Sequence, residues 1–334
     1  MNSEPRRKGH TPNLTDMLRT EADARAFLEA KRWPNGIACA FDDCGGSEIM
    51  RYEVKAGVRK NGRAVPARSL YKCKACGRQF SVTKGTIFED SKIPLRTWIL
   101  VMYRMGSSKK GVSAHQIHRE FGLSYESAWF MCHRIRYAMT DKNPTRLKGT
   151  IEADETYVGG KPRGHVTSRI GKYATMSERI KAAWEKKEAV FGIKERGGRV
   201  RAIHMHKPSQ RKIQRTIWEQ VATSESRLMS DEHNFYYGIK GVLPHDVIRH
   251  KSEYVRGDVH TQGMESFWPL LKRGLIGTYH HVDAGYLNMY VQEFAFRTNT
   301  RKIDDGQRFA TLMNQIDGRV DWYLGKNAKS EPVS

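Results

Sequence analysis

Four cysteines constrain the first part of this chain more than any other residues. Cys39-x4-Cys44 is followed, 28 residues on, by Cys73-x2-Cys76. The second pair lies in YKCKACGRQFSV, where aromatic and β-branched residues flank a glycine turn. Two turns, each on a β-hairpin, offer four thiolates to a tetrahedral Zn²⁺. Residues 37–90 therefore read as a zinc ribbon with Cys39, Cys44, Cys73 and Cys76 as ligands. The fifth cysteine, Cys132, stands alone in a helical pattern and reads as a small buried side chain. Between the pairs the chain alternates and carries Asn61-Gly62, a hairpin signal, among outward-facing Arg and Lys residues.

The 334 residues hold 58 Lys+Arg against 36 Asp+Glu, a formal net charge of +22. An excess of that size, spread over every segment, points to nucleic acid as a partner. No run of 18 apolar residues occurs, and the stretch MNSEPRRKGHTPN has no apolar core. Neither a membrane span nor a secretory signal is expected, which places the chain in the cytoplasm.

Ahead of the cysteines, residues 1–36 predict one or two short helices, with Thr15 or Asn13 as the N-cap and a stop at Pro34-Asn35-Gly36. After the ribbon, residues 91–145 read as a helical DNA-binding segment. Pro94 opens a helix through Met105, a second spans Ser113 to Phe121, Gly122-Leu123-Ser124 turns, and a third runs from Tyr125 to Met139. A short helix, a glycine turn and a second helix is the helix-turn-helix order. On the third helix Tyr125, Glu126, His133, Arg134 and Arg136 are expected outside, with Arg134 and Arg136 facing DNA. Ala128, Trp129, Cys132 and Ile135 are expected inside.

Beyond Lys148 the pattern turns to strands. TIEADETYVGG reads as a strand, with Asp154 at the end of its apolar alternation and Gly159-Gly160 as the turn. EAVFGIKERGGRVRAIHM predicts two more strands about Gly197-Gly198. SQRKIQRTIWEQVA predicts a helix, RLMSDE a strand carrying Asp231, HDVIRH a short strand, and HTQGMESFWPLLKRG a helix carrying Glu265. Three antiparallel strands, a helix, two strands and a covering helix is the order of a ribonuclease-H-like α/β fold, a mixed sheet with helices. Two strands and a helix then contribute one carboxylate each. Hard oxygen ligands of this kind suit Mg²⁺ or Mn²⁺, and two such ions about 4 Å apart can stabilise both oxygens of a phosphodiester displacement. Glu152 shares a side of its strand with Asp154 and reads as a support or a direct ligand. Glu155 and Glu232 are expected to face away, as surface or structural residues. Pro269, four residues after Glu265, removes a helical hydrogen bond, and a helix that starts near Glu265 is expected to kink between Glu265 and Lys272.

The stretches CKACGRQFSVTKGTIFEDSKIPL, IEADETYVGGK, SDEHNFY, HTQGMESFWPLLKRGLIGTYHHV and YVQEFAFRTN together resemble the zinc-ribbon group of bacterial DDE insertion-sequence transposases, those with an ISXO-like catalytic domain. The likeness runs from about residue 25 to 300. It implies a ribonuclease-H-like domain over residues 148–300, a C-terminal helix and polar tail over 301–334, and metal-dependent cleavage and joining of transposon ends at the nucleoid. Position by position, Asp154 and Asp231 match the family aspartates, Glu265 the third acid, and Lys272 the basic residue seven positions later. Gln262 stands where relatives often carry Asn. Lys272 and Arg273 then face DNA phosphate, with terminal inverted repeats and target DNA as partners and a homo-oligomer in the DNA complex. The rival reading is a non-enzymatic DNA-binding regulator with a retired catalytic domain.

Overall fold

In the computed structural model, residues 14–58, 62, 64–65, 67–159, 187–241, 243–248 and 257–318 are described. Asn61, Gly160, most of the basic stretch that follows it and the polar tail lie outside them. Two compact units result: residues 1–138 with 303–320, and residues 139–302 with 321–334. Among the described residues no helix is long and apolar enough to cross a membrane.

The first unit opens with helices α1 (Leu14–Met17) and α2 (Glu21–Arg32). Thr20 caps α2, while Asn13, a cap expected at the start of the helical segment, lies outside the described residues. The Thr20 hydroxyl accepts from the Asp23 amide while Asp23 accepts from the Thr20 amide, a reciprocal capping box. Strands β1 (Ile49–Val54), β4 (Arg68–Cys73) and β5 (Gln79–Phe80) form an antiparallel sheet in the order β1-β4-β5. The short strands β2 (Gly57–Val58) and β3 (Ala64–Val65) pair beside it. Three helices follow: α3 (Leu95–Ser107), α4 (Ala114–Phe121) and α5 (Tyr125–Ala138). Ser113 caps α4, and Gly122 ends it at φ 63°, a left-handed conformation that glycine adopts without strain.

The second unit is built on five strands: β6 (Leu147–Val158), β7 (Glu188–Glu195), β8 (Val200–Met205), β9 (Val221–Ser230) and β10 (His245–Val247). Their order is β10-β9-β6-β7-β8. β6, β7 and β8 pair antiparallel, whereas β9 lies parallel to β6 and β10 parallel to β9. That order and those directions are the ribonuclease-H-like topology expected from the sequence. Helix α6 (Gln210–Gln220) joins β8 to β9, which is the crossover a parallel neighbour of β6 requires. Its Ile213 and Ile217 pack on Ile151, Ala153, Phe191 and Ile193. On the opposite face, α7 (Gln262–Gly274) and α8 (Ala284–Asn299) cover Val190, Val200 and Ala202. A one-turn π-helix over Leu275–Tyr279 extends α7. A last helix, α9 (Asp305–Met313), belongs to the first unit, where Phe309 meets Tyr103 of α3 edge-on.

Strand β8 is the sheet edge, and α8 closes it with side-chain amides. Asn299 both accepts from the Val200 amide (2.8 Å) and donates to the Val200 carbonyl (2.9 Å). Gln292 donates to the Ala202 carbonyl (2.9 Å), and Asn288 accepts from the His204 amide (3.2 Å). Every second residue of the edge thus meets an α8 amide, which blocks pairing with another chain. Asn299→Ala removes two of these bonds and should lower unfolding free energy by about 1–3 kcal/mol, read from urea denaturation. An unchanged midpoint would show that the edge does not depend on them.

Candidate active site and zinc centre

Asp154 lies within β6, four residues before its end, and not at the close of a shorter run. The pairing of Val158 with Glu188 of β7 carries the strand on. Parallel pairing aligns Ile151 with Leu228 and Glu152 with Met229. Continued two residues further, that register sets Asp154 level with Asp231, just past the end of β9. Neighbouring strands are about 4.8 Å apart, so these two acids share one end of the sheet. The Asp231 carboxylate accepts from the His233 amide (3.0 Å), which turns the chain there.

Glu265 comes from the first turn of α7. It is exposed, and its Oε1 accepts from the Thr261 hydroxyl (3.2 Å). Three residues on, Trp268 Nε1 donates to Asp154 Oδ2 (2.7 Å), tying the helix to the strand beside its acid. Gly192, paired with Asp154 across β7, makes this approach possible. A Cβ on Gly192 would stand 2.2 Å from Met264 Cε and 2.6 Å from Trp268 Cη2. A glycine inside a strand signals such a close approach, and this one was the legible mark of the site that sequence reading passed over. Phe267 and Trp268 are core residues.

Burial pushes the Asp154 carboxyl up to about 6; Trp268 opposes the shift, and the charges of Asp231 and Glu265 add to it. Like charges of Asp231 and Glu265 acting on a half-buried Asp154 make an electrostatic condition that a cation would relieve, and the donor set is all hard oxygen. The acids are not drawn to ligand distance, however. Among the described residues, the four cysteines are the only group of three or more His, Cys, Asp or Glu whose ligating atoms all lie within 4.8 Å of one another. Asp154 Oδ1 is meanwhile occupied by the Glu155 amide (2.8 Å).

The Glu155 side chain is 6% exposed and accepts from the Tyr236 hydroxyl (2.8 Å), which makes it structural, one of the two roles expected for it. Glu232 is exposed, as expected. Helix α7 spans Gln262 to Gly274 with Pro269 in its third turn, where the proline nitrogen has no hydrogen to give the Glu265 carbonyl. Glu265 and Lys272 therefore share a side of one helix. Lys272 is half-buried, whereas Arg273 is exposed and its Nε donates back to the Pro269 carbonyl (3.1 Å).

On α5 the expected outer face is corrected. His133 and Arg136 are buried, at 0% and 1% exposure, and Arg134 is half-buried with its Nη1 donating to the carbonyls of Ile87 (3.1 Å) and Glu89 (2.7 Å). A long cationic side chain can satisfy carbonyls inside a small unit, which periodicity alone does not reveal. Tyr125, Glu126 and Phe130 are the exposed residues there.

The cysteines converge as expected. Cys39 and Cys76 have their sulfurs 3.8 Å apart, Cys44 and Cys73 3.7 Å. Zinc–thiolate bonds of about 2.3 Å at tetrahedral angles put sulfurs about 3.8 Å apart, so the cage has the dimensions of a Zn²⁺ site. Cys73 and Cys76 sit on the β4–β5 hairpin, but Cys39 and Cys44 lie in an irregular loop, held by the Cys39 amide donating to the Gly46 carbonyl (2.9 Å). Hydrogen bonding from Arg78 draws the Cys76 thiol down to about 6, favouring the thiolate a metal needs.

Residues 146–299 match the ISXO2-like transposase domain, and residues 19–79 match the transposase zinc-ribbon domain. The chain thus carries, in order, a match to a transposase zinc ribbon and a match to an ISXO2-like transposase domain. An uncharacterized protein in transposable element ISH50 of Halobacterium salinarum is 26% identical over 298 residues, covering 88% of this chain and 96% of that protein. A chain in the structure of a simian T-cell lymphotropic virus intasome in complex with PP2A regulatory subunit B56 gamma aligns at 11% identity. It covers 58% of this chain, which spans 64% of that one, and its TM-score of 0.27 carries no weight for fold or function.

Two outcomes test this geometry. Gly192→Ala should displace Trp268 and Met264 and destabilise the chain by about 1–3 kcal/mol, measured by denaturant titration; wild-type stability would mean the contact yields freely. Cys73→Ser should lose stoichiometric zinc and unfold the ribbon, since structural zinc contributes about 10 kcal/mol or more. Metal analysis of the purified protein and circular dichroism check both, and a wild-type chain without zinc would refute the assignment.

Proposed function

We propose that this chain cleaves the ends of its own insertion sequence and joins them to target DNA, with Asp154, Asp231 and Glu265 as metal-binding catalytic acids. The observation that supports the reading is the register that sets Asp154 level with Asp231, together with the Trp268 bond that ties the helix bearing Glu265 to Asp154. When bound, Mg²⁺ or Mn²⁺ lowers the pKa of the attacking oxygen and stabilises charge on the leaving one. The chain's own part is positional. Trp268 holds one oxygen of Asp154, Thr261 holds one oxygen of Glu265, and Lys272, two turns from Glu265, offers an ammonium to a phosphate near the scissile bond. Arg273 is the next phosphate contact along the helix. Water is the nucleophile in end cleavage, and the freed 3′-hydroxyl is the nucleophile in joining.

End recognition falls to the zinc ribbon and the helix pair α4–α5. The exposed Tyr125 end of α5 is the surface available to DNA, with Arg134 and Arg136 supporting the fold beneath it. The active form on DNA is a homo-oligomer, because an element has two ends to be cut and joined together.

Asp154→Asn, Asp231→Asn and Glu265→Gln should each lower end cleavage on the order of 100-fold or more while end binding persists. Lys272→Ala should lower cleavage without changing the Mg²⁺ concentration for half activity, and Lys272→Arg should recover part of the rate. Cleavage of end-containing DNA, measured against Mg²⁺ concentration, checks both. Near wild-type cleavage in any acid variant would remove that residue from the site, and end binding without cleavage by the wild type would favour a DNA-binding regulator.

A further inference from the structure

Strand β6 carries two more carboxylates beside Asp154, and each is bonded to the element that bears another acid of the set. Alternation along the strand turns Glu152 and Asp154 toward α7, and Glu155 toward the opposite face. Glu152, with 2% of its side chain exposed, accepts from the Met264 amide (3.1 Å) in the first turn of α7. The next residue of that helix is Glu265. The other Glu152 oxygen, Oε1, accepts from Arg196 Nε (3.2 Å), whose Nη1 donates to the Asp258 carbonyl (2.8 Å) and Nη2 to the His260 carbonyl (3.2 Å), on the approach to α7. Lys194 Nζ donates to the Gly263 carbonyl (3.0 Å) in the same turn. Both oxygens of Glu152 are thus engaged by protein, which assigns it to support and not to metal ligation.

Glu155 does the same for Asp231. Its Oε2 accepts from the hydroxyl of Tyr236, a buried residue in the 3-10 turn Asn234–Tyr236, and its Oε1 lies 3.6 Å from His233 Nδ1. His233 is also the residue whose amide donates to Asp231.

We propose that Glu152 and Glu155 are positioning residues, which use the rigid central strand as a template to set Glu265 and Asp231 against Asp154. The proposal rests on the metal-binding role given above to those three acids. It accounts for a glycine at 263: a Cβ there would stand 2.4 Å from Glu152 Oε2. Gly263→Ala therefore disturbs the anchor without altering any acid, at a helical position where alanine is otherwise the better residue.

The test is Mn²⁺ binding to the zinc-loaded full-length protein, followed by the electron paramagnetic resonance of free Mn²⁺, with urea denaturation alongside. Tyr236→Phe, Gly263→Ala and Glu152→Ala should each weaken Mn²⁺ binding about 10-fold or more, as loss of a group supporting metal ligands does. Glu152→Gln, which keeps an acceptor for the Met264 amide, should recover part of that loss. Wild-type Mn²⁺ affinity in Tyr236→Phe and Gly263→Ala, with or without lowered stability, would overturn the proposal, since a merely structural role moves the denaturation midpoint and leaves affinity alone. Should Glu152→Ala fail to fold, these two variants and Glu152→Gln decide the matter. Asp154→Asn separates the two readings: if it binds Mn²⁺ as the wild type does, the metal site itself is refuted and the positioning role falls with it. Loss in Asp154→Asn together with wild-type binding in the other variants refutes the positioning role alone.

Discussion

The register of β6 against its two neighbours is the constraint on which the site depends. Parallel pairing with β9 sets Asp154 level with Asp231, and antiparallel pairing with β7 brings Gly192 beside Asp154, where the missing side chain admits Trp268. A slip of one residue would turn Asp154 to the α6 face and Glu155 to the α7 face. The apolar residues forbid it. Ile151 and Ala153 are fully buried in the core beneath α6, and the same alternation that seats them turns Asp154 the other way.

Burying several carboxylates on one strand is costly unless each has a partner. Glu152 has a guanidinium and a backbone amide. Glu155 has Tyr236 and His233, yet burial still pushes its carboxyl up to about 7, with Tyr236 opposing and Asp231 and Asp154 adding to the shift. Asp154 is pushed up for the same first reason. Among the described residues, the hydrogen bonds to Asp154 come from the Trp268 ring and the Glu155 amide, and that to Asp231 from the His233 amide, all neutral donors. This pattern matches a site whose own groups set geometry while leaving charge to a cation.

The first unit meets a different difficulty. Its sheet has three short strands, and its core depends on a few aromatic residues such as Tyr71 and Phe80. The four sulfurs lock the irregular loop at Cys39–Cys44 to the β4–β5 hairpin, a link that so small a sheet cannot make by burial alone. Arg134 and Arg136 are drawn inward in the same unit, so its formal positive charge overstates what is available at the surface.

Strand and helix order and the gathering of the four cysteines were legible in the sequence, because apolar alternation, cysteine spacing and turn residues are local signals. Local signals do not say which residues of distant elements meet. Only the tertiary structure decided that Glu155 is buried against Tyr236, that Arg134 satisfies carbonyls near Glu89, that Gly192 opens a space for Trp268, and that α8 closes the β8 edge with Asn288, Gln292 and Asn299. Each of these pairs lies far apart in the chain. The reach of a side chain across such a gap is set by sheet register and helix seating, which arise when the whole core packs.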